Sequence, residues 1–261
     1  MNPSRVPDLQ NLTKQVSDLT EAFSAAALTG DFWDKLRGLR ESLGLDGGRD
    51  PRLQQYVQSA EAQVFMRVLS SSLATVIKDW KKLDNIRVMS VGCGRLREAF
   101  AVHAALGDVL YSELSHRLKL FGVEINPEIS ADTSQLYNGV AGIQVFTGDG
   151  SKLKELTGLP DEFELIYFRH QNVSDSSSNW VGMFAAALDR LAPGGRLLIT
   201  SFSAAEHKIA LQCLDSLGAV KEVSYKNREG RLLRKANRLE GTGQLRVDGY
   251  VAVCLSKKSF P

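Results

Sequence analysis

The hydrophobic positions change rhythm near residue 85. Before it, Leu9, Leu12, Val16, Leu19 and Phe23 recur every three or four residues, the spacing of one helical face. A second such run covers 31–43, opening at Asp31 and stopping before Gly-Leu-Asp-Gly-Gly. A third extends from Asp50 to Trp80, with Pro51 suited to a first helical turn. Residues 1–84 therefore read as an all-helical segment, and 85–261 as a second unit of different character.

From residue 86 short apolar runs alternate with helical patterns. Strands are predicted at 86–91, 118–125, 143–149, 163–169, 195–202, 219–226 and 245–257. Helices are predicted at 96–106, 128–139, 178–191 and 204–217. Such alternation implies right-handed crossovers and an α/β fold, a mostly parallel sheet with helices on both faces. The last two strands have no good helix between them and read as an antiparallel hairpin at the sheet edge. In open sheets of this kind ligands bind outside the carboxyl ends of the strands, where the strand order reverses.

Four groups of residues fall at such ends. Gly92-Cys93-Gly94 follows the first strand, where glycine permits positive φ and close ligand approach. The dinucleotide fingerprint needs a third glycine, but Arg97 stands there, and Leu96 stands where a Gly-x-Gly-x-Gly pattern would place one. The plain alternative is a tight strand-to-helix turn. Glu124 ends the second strand, where a carboxylate accepts from both hydroxyls of a ribose; the alternative is a surface glutamate before the Asn126-Pro127 turn. It lies 32 residues after Gly92, against the about 20 of the dinucleotide pattern.

Asp149-Gly150 ends the third strand. Asp149 either accepts from an adenine amino group or is a helix cap, since Asp149 or Ser151 could cap a helix at 152–157; both readings are compatible. Arg169-His170 follows the fourth strand. Arg169 suits a carboxylate or phosphate, and His170 either takes a proton from a substrate or orders its loop.

The ordered set of Gly-x-Gly, Glu124, Asp149 and Ala192-Pro193-Gly194-Gly195 resembles the class I S-adenosylmethionine-dependent methyltransferases over about 85–257. The resemblance implies a Rossmann-like, mostly parallel seven-stranded sheet with an antiparallel last strand. It implies S-adenosyl-L-methionine as cofactor and S-adenosyl-L-homocysteine as product. Gly92, Cys93 and Gly94 would line the methionine part, Glu124 the ribose, Ile125 the adenine face, and Asp149 and Gly150 the adenine edge. Arg169 and His170 would face cofactor and acceptor, with His170 the candidate base. The sequence departs from the family in the missing third glycine, the long 94–124 segment, and Ser90 where an acidic residue is common.

No run like those of amino-group DNA methylases follows the fourth strand, and no carboxylate cluster for a metal is evident, so the expected acceptor is a small molecule. The helical segment would cap the carboxyl edge, with Phe23, Trp33, Tyr56 and Phe65 either lining the acceptor pocket or packing between helices. Competing readings are an aminopropyl or aminocarboxypropyl transferase, since helices before such a sheet also resemble nicotianamine synthases, and a non-catalytic binding or scaffold protein. A nicotinamide oxidoreductase is disfavoured by the failed glycine pattern.

Composition narrows this little. The chain has 261 residues and a net charge of +2, which argues neither for nor against nucleic acid. Residues 226–246 hold 7 Lys/Arg against 2 Asp/Glu, which makes RNA a secondary partner, although no aromatic interleaves them for base stacking. Cys93, Cys213 and Cys254 have no metal or disulfide spacing. No signal-like or membrane-length apolar run is found, and a cytoplasmic protein without membrane contact is expected.

Overall fold

The computed structural model describes residues 60–80, 83–110, 118–138, 140, 142–169, 173, 177–230, 232 and 245–256. Residues 1–59, on which most of the reading of a helical cap rests, lie outside this set, as do His170 and most of the basic stretch 226–246. The elements in chain order are α1 (Ala60–Leu73), α2 (Ile77–Trp80), β1 (Ile86–Val91), α3 (Ala99–Leu110), β2 (Leu118–Glu124), α4 (Pro127–Leu136) and β3 (Ile143–Thr147). They continue with β4 (Phe163–Arg169), α5 (Ser177–Asp189), β5 (Leu191–Ser201), α6 (Ala204–Ser216), β6 (Val220–Lys226) and β7 (Tyr250–Leu255).

The strands form one seven-stranded sheet in the order β3-β2-β1-β4-β5-β7-β6. β1 pairs in parallel with β2 and β4, β2 with β3, and β4 with β5. β7 runs antiparallel to both β5 and β6. The fold is the α/β, Rossmann-like arrangement expected. Within it β7 is an inner strand and β6 takes the edge. Burial explains the order: Val251 to Cys254 are all buried, whereas β6 is exposed or half-buried throughout. A strand apolar on both faces belongs inside, and a polar, lysine-bearing one blunts an edge. β5 also begins earlier than predicted. Phe163 pairs with Leu191 but Leu165 with Arg196, so Ala192–Gly195 bulges out of a continuous strand. Gly194 there has φ +77°, and a Cβ on Gly195 would lie 2.7 Å from the Phe163 carbonyl oxygen.

Side-chain alternation divides the core in two. Val88, Leu120, Leu165, Tyr167, Leu198 and Val251 face one cluster, covered by α1, α3 and the end of α4. Met89, Phe121, Ile166, Phe168 and Ile199 face the other, covered by α5 and α6. Phe65, Met66, Leu69 and Leu73 of α1 are all fully buried against the first face. Their helical spacing is the amphipathic signal read from the sequence, and each contributes about 1.5–3 kcal/mol of burial. α1 is thus a layer helix on a face of the sheet. The chain leaves β1 towards β2 and β3 on one side, and towards β4 and β5 on the other. The order therefore reverses between β1 and β4, and their carboxyl ends flank the crevice.

Candidate functional site

The turn after β1 has a strict rhythm. Gly92, Gly94 and Leu96 have φ of +65°, +51° and +46°. Every second residue of the loop is left-handed, so the missing third glycine is a change of residue and not of backbone. The conformation costs an L-residue about 1–2 kcal/mol, and Leu96 offsets it with a fully buried side chain. It also explains why α3 begins at Ala99, three residues later than the sequence pattern suggests. At Gly94 an added Cβ would meet nothing within 4 Å, so open space lies above the loop at this point.

The loop is tied to β2. Gly92 N and Cys93 N both donate to the Val123 carbonyl oxygen, at 2.9 and 3.1 Å. Gly94 N donates to Glu124 Oε2 at 2.8 Å, and Asn126 N to Oε1 at 2.9 Å. Four of the sequence-derived site residues, Gly92, Cys93, Gly94 and Glu124, are thereby brought together. Glu124 is 8% exposed, which sets aside the surface-glutamate alternative. Cys93 fits because Gly122 lacks a side chain: a Cβ there would lie 2.8 Å from Cys93 Sγ. Burial first, and then Glu98 and Glu124, push the Cys93 thiol up, so it stays a protonated packing group.

α4 holds the loop from its other side. Asn126 caps this helix, its Oδ1 accepting from Glu128 N and Ile129 N, with Pro127 in the first turn. Thr133 Oγ1 donates to the Gly94 carbonyl oxygen at 3.2 Å, and Tyr137 Oη to that of Leu96 at 2.6 Å. Neither residue stood out in the sequence, although Thr133 lies on the helix that follows Glu124 and Tyr137 is its C-cap.

Ile125 is 68% exposed, one of three large exposed hydrophobics among the described residues. An isoleucine in water beside a buried acid, at the carboxyl end of β2, is suited to a flat apolar ring. Asp149 closes its own turn, Oδ1 accepting from Ser151 N and Ser151 Oγ, both at 2.8 Å. These bonds hold its carboxyl below the usual range. The helix predicted at 152–157 is only a 3₁₀ turn, Leu153–Glu155, without a side-chain cap. Gly150 has a packing reason: a Cβ would lie 2.6 Å from Val91 Cγ1.

Arg169 points into the face beneath α1. Its guanidinium grips Asp248 at both oxygens, Nε to Oδ1 at 3.1 Å and Nη2 to Oδ2 at 2.9 Å. It also lies over the Phe65 ring, 4.5 Å from the centroid. Burial alone would lower its pKa, but Asp248 and Glu98 hold it raised, so the charge is permanent. Glu98 joins the group from the start of α3. Its Oε1 accepts from Ser90 Oγ and Tyr167 Oη, each at 3.3 Å, and Oε2 stands 3.9 Å from Arg169 Nη1. Burial and the nearby Glu98 push the Tyr167 phenol well up, which keeps it a donor. Asp248 is fully buried at φ +49°, a conformation aspartate tolerates better than most residues. No spacing in the sequence could have joined residues 65, 90, 98, 167, 169 and 248.

No family model and no curated protein matches the chain. Solved structures similar to it include a TehB-like S-adenosylmethionine-dependent methyltransferase from Corynebacterium glutamicum. That pair is 16% identical, covering 77% of this chain and 89% of that one, with a TM-score of 0.46. A geranyl diphosphate C-methyltransferase from Streptomyces coelicolor, solved with S-adenosyl-L-homocysteine, is 11% identical over 71% of this chain and 80% of its own, with a TM-score of 0.47. An rRNA methylase from Streptococcus thermophilus is 15% identical over 66% and 87%, with a TM-score of 0.44. At these identities and TM-scores the likeness carries no argument about this chain's cofactor or acceptor, which rests on the residues at the strand ends.

Among the described residues no helix is long and apolar enough to cross a membrane, and no group of three or more His, Cys, Asp or Glu is placed to hold a metal.

Proposed function

We propose that the chain is an S-adenosylmethionine-dependent methyltransferase acting on a small molecule, with its cofactor across the carboxyl ends of β1, β2 and β3. The observation that carries this is the junction of Glu124 with the left-handed loop at Gly94. It sets a buried carboxylate and an open backbone turn side by side at the reversal of strand order. In this reading Gly92, Cys93 and Gly94 line the amino-acid part and Glu124 accepts from the ribose hydroxyls. Ile125 covers one face of the adenine, while Asp149 and Gly150 meet its edge.

Bound there, the cofactor supplies a methyl group that is already electrophilic, so the protein has little covalent chemistry to do. What remains for the chain is alignment and the exclusion of water. The loop's anchoring to Val123, Glu124, Thr133 and Tyr137 holds its backbone without reorganisation. Arg169, gripped by Asp248 beneath α1, holds the end of β4 from which His170 follows, and His170 takes the proton where the acceptor must lose one.

Calorimetric titration with S-adenosylmethionine, S-adenosylhomocysteine and NAD tests the proposal, using wild type, Glu124→Gln and Asp149→Ala. The expected result is binding of both sulfur ligands, weakened in each variant, and no binding of NAD. Failure of both sulfur ligands to bind would overturn it. Where they bind, an acceptor screen scored for S-adenosylhomocysteine against methylthioadenosine separates methyl from aminopropyl transfer.

A further inference from the structure

α6 is the last helix on its face of the sheet among the described residues, and the edge strand β6 lies beyond it. Between them runs a groove of about 410 Å³. His207, Lys208 and Leu211 of α6 line it, with Ala219 and Lys221 around the start of β6 and Tyr250 of β7. It lies on the far side of β5 from the crevice between β1 and β4, and the proposed function leaves it without a task.

A local irregularity aims charge into this groove. The pairing of β6 with β7 slips between Lys221 and Val223, and such bulges re-aim side chains. Lys221 stands opposite Cys254, which packs on the face beneath α6. Glu222, its neighbour in the chain, is taken by Arg196 through two bonds of 2.6 and 3.2 Å. The lysine and the adjacent acid are thereby parted. Neither Lys221 nor Lys208 has a carboxylate partner among the described residues. The charge of Lys221 reaches the floor of the groove: after burial, it is what lowers the pKa of His207, and it acts on the Cys254 thiol in the same sense. Among the lining residues the one carboxylate is Asp215, seven residues from Lys208 and so about 10 Å further along the helix.

Two unpaired ammonium groups over a neutral floor attract an anion. Lysine suits phosphate as a point charge, whereas planar carboxylate recognition draws on arginine, which is not among the lining residues. Tyr250 rests its ring 5.6 Å from that of His207, and its hydroxyl has no partner among the described residues. Leu211, Ala219 and the Tyr250 ring supply an apolar wall, and the volume is that of a small-molecule site.

We infer that this groove binds a small phosphate monoester, its phosphate held by Lys208 and Lys221 and its organic part against Leu211 and Tyr250. The inference does not rest on the reading of the crevice as a cofactor site.

The test titrates the full chain with inorganic phosphate and with phenyl phosphate at constant ionic strength, followed by the histidine ring resonances in NMR. The His207 signal is identified by its loss in His207→Gln. It should shift saturably, with phenyl phosphate binding about tenfold more tightly than inorganic phosphate. Lys208→Gln and Lys221→Gln should each weaken phenyl phosphate by about tenfold. Lys119→Gln removes the same charge at the amino end of β2 and should leave binding unchanged. All three lysines are exposed, so the variants keep the fold, and a urea midpoint like that of wild type checks this. An unmoved His207 signal with both probes would overturn the inference, as would the same affinity in Lys221→Gln and Lys119→Gln. Equal affinity for the two probes would leave only a contact with the ion, and would overturn it as well.

Discussion

Leu96 offers a direct measurement of what the loop conformation costs. Its φ is +46° and its side chain is fully buried, among the same cluster as Leu106 of α3. Truncating either leucine to alanine removes buried methyl groups and leaves a cavity, at about 2–5 kcal/mol. Going on to glycine normally costs more: about 1 kcal/mol in a helix, for the freedom the unfolded chain gains, besides the lost Cβ. Leu106 should follow that rule. At position 96 alanine keeps the left-handed penalty of about 1–2 kcal/mol, whereas glycine removes it. The two opposing contributions are of similar size, so Leu96→Gly and Leu96→Ala should be about equally stable. The difference of differences between the two sites should be about 1–2 kcal/mol in favour of glycine at 96. Equilibrium urea unfolding of the four variants measures it from midpoints, provided the slopes agree. The same gap between glycine and alanine at both sites would refute the strain argument, and with it the view that this loop has three left-handed positions built in.

Other outcomes follow from single contacts. Gly122→Ala should destabilise by about 1–3 kcal/mol through the clash with Cys93 Sγ, and Cys93→Ala should rescue it, because the added methyl then faces vacant space; unfolding of the double variant checks this. Asp248→Asn keeps a side chain suited to positive φ but removes the charge that the buried Arg169 grips at 2.9 Å. A loss of about 3–5 kcal/mol is expected, and Arg169→Met in the same chain should recover part of it. His207 is buried between Ser201, Ser224 and Tyr250, and burial, with Lys221 nearby, lowers its pKa to about 4. The unfolded chain then binds a proton that the folded one refuses. The stabilising difference between wild type and His207→Gln should be full above about pH 6.5 and shrink as the pH falls towards 4; unfolding at pH 7.5 and 4.5 that shows no such change would contradict it.

The hydrophobic rhythm alone located every strand of the sheet and the helices between them, because burial on one face or two leaves its period in the sequence. It also placed Gly92, Gly94, Glu124 and Asp149 at strand ends, since a strand that stops at a polar residue shows both. Asn126-Pro127, read as a turn, proves to be the cap and first turn of α4, an equally local feature. What the sequence withheld were facts that depend on a second segment. That β7 lies inside and β6 outside is settled by which strand is apolar on both faces against its neighbours. That Leu96 is left-handed is settled by the hold of β2 and α4 on its loop, since leucine itself disfavours it. Arg169 looked like a free cation at a strand end; Asp248, 79 positions later, and Phe65 on α1 decide that it is a buried, gripped one. Glu98 carries no signal along the chain; Ser90 and Tyr167, from two different strands, are what close on it. Local pattern determines where the chain can place a polar group, whereas the partner that gives the group its chemistry comes from packing across the sheet, which no spacing along the chain records.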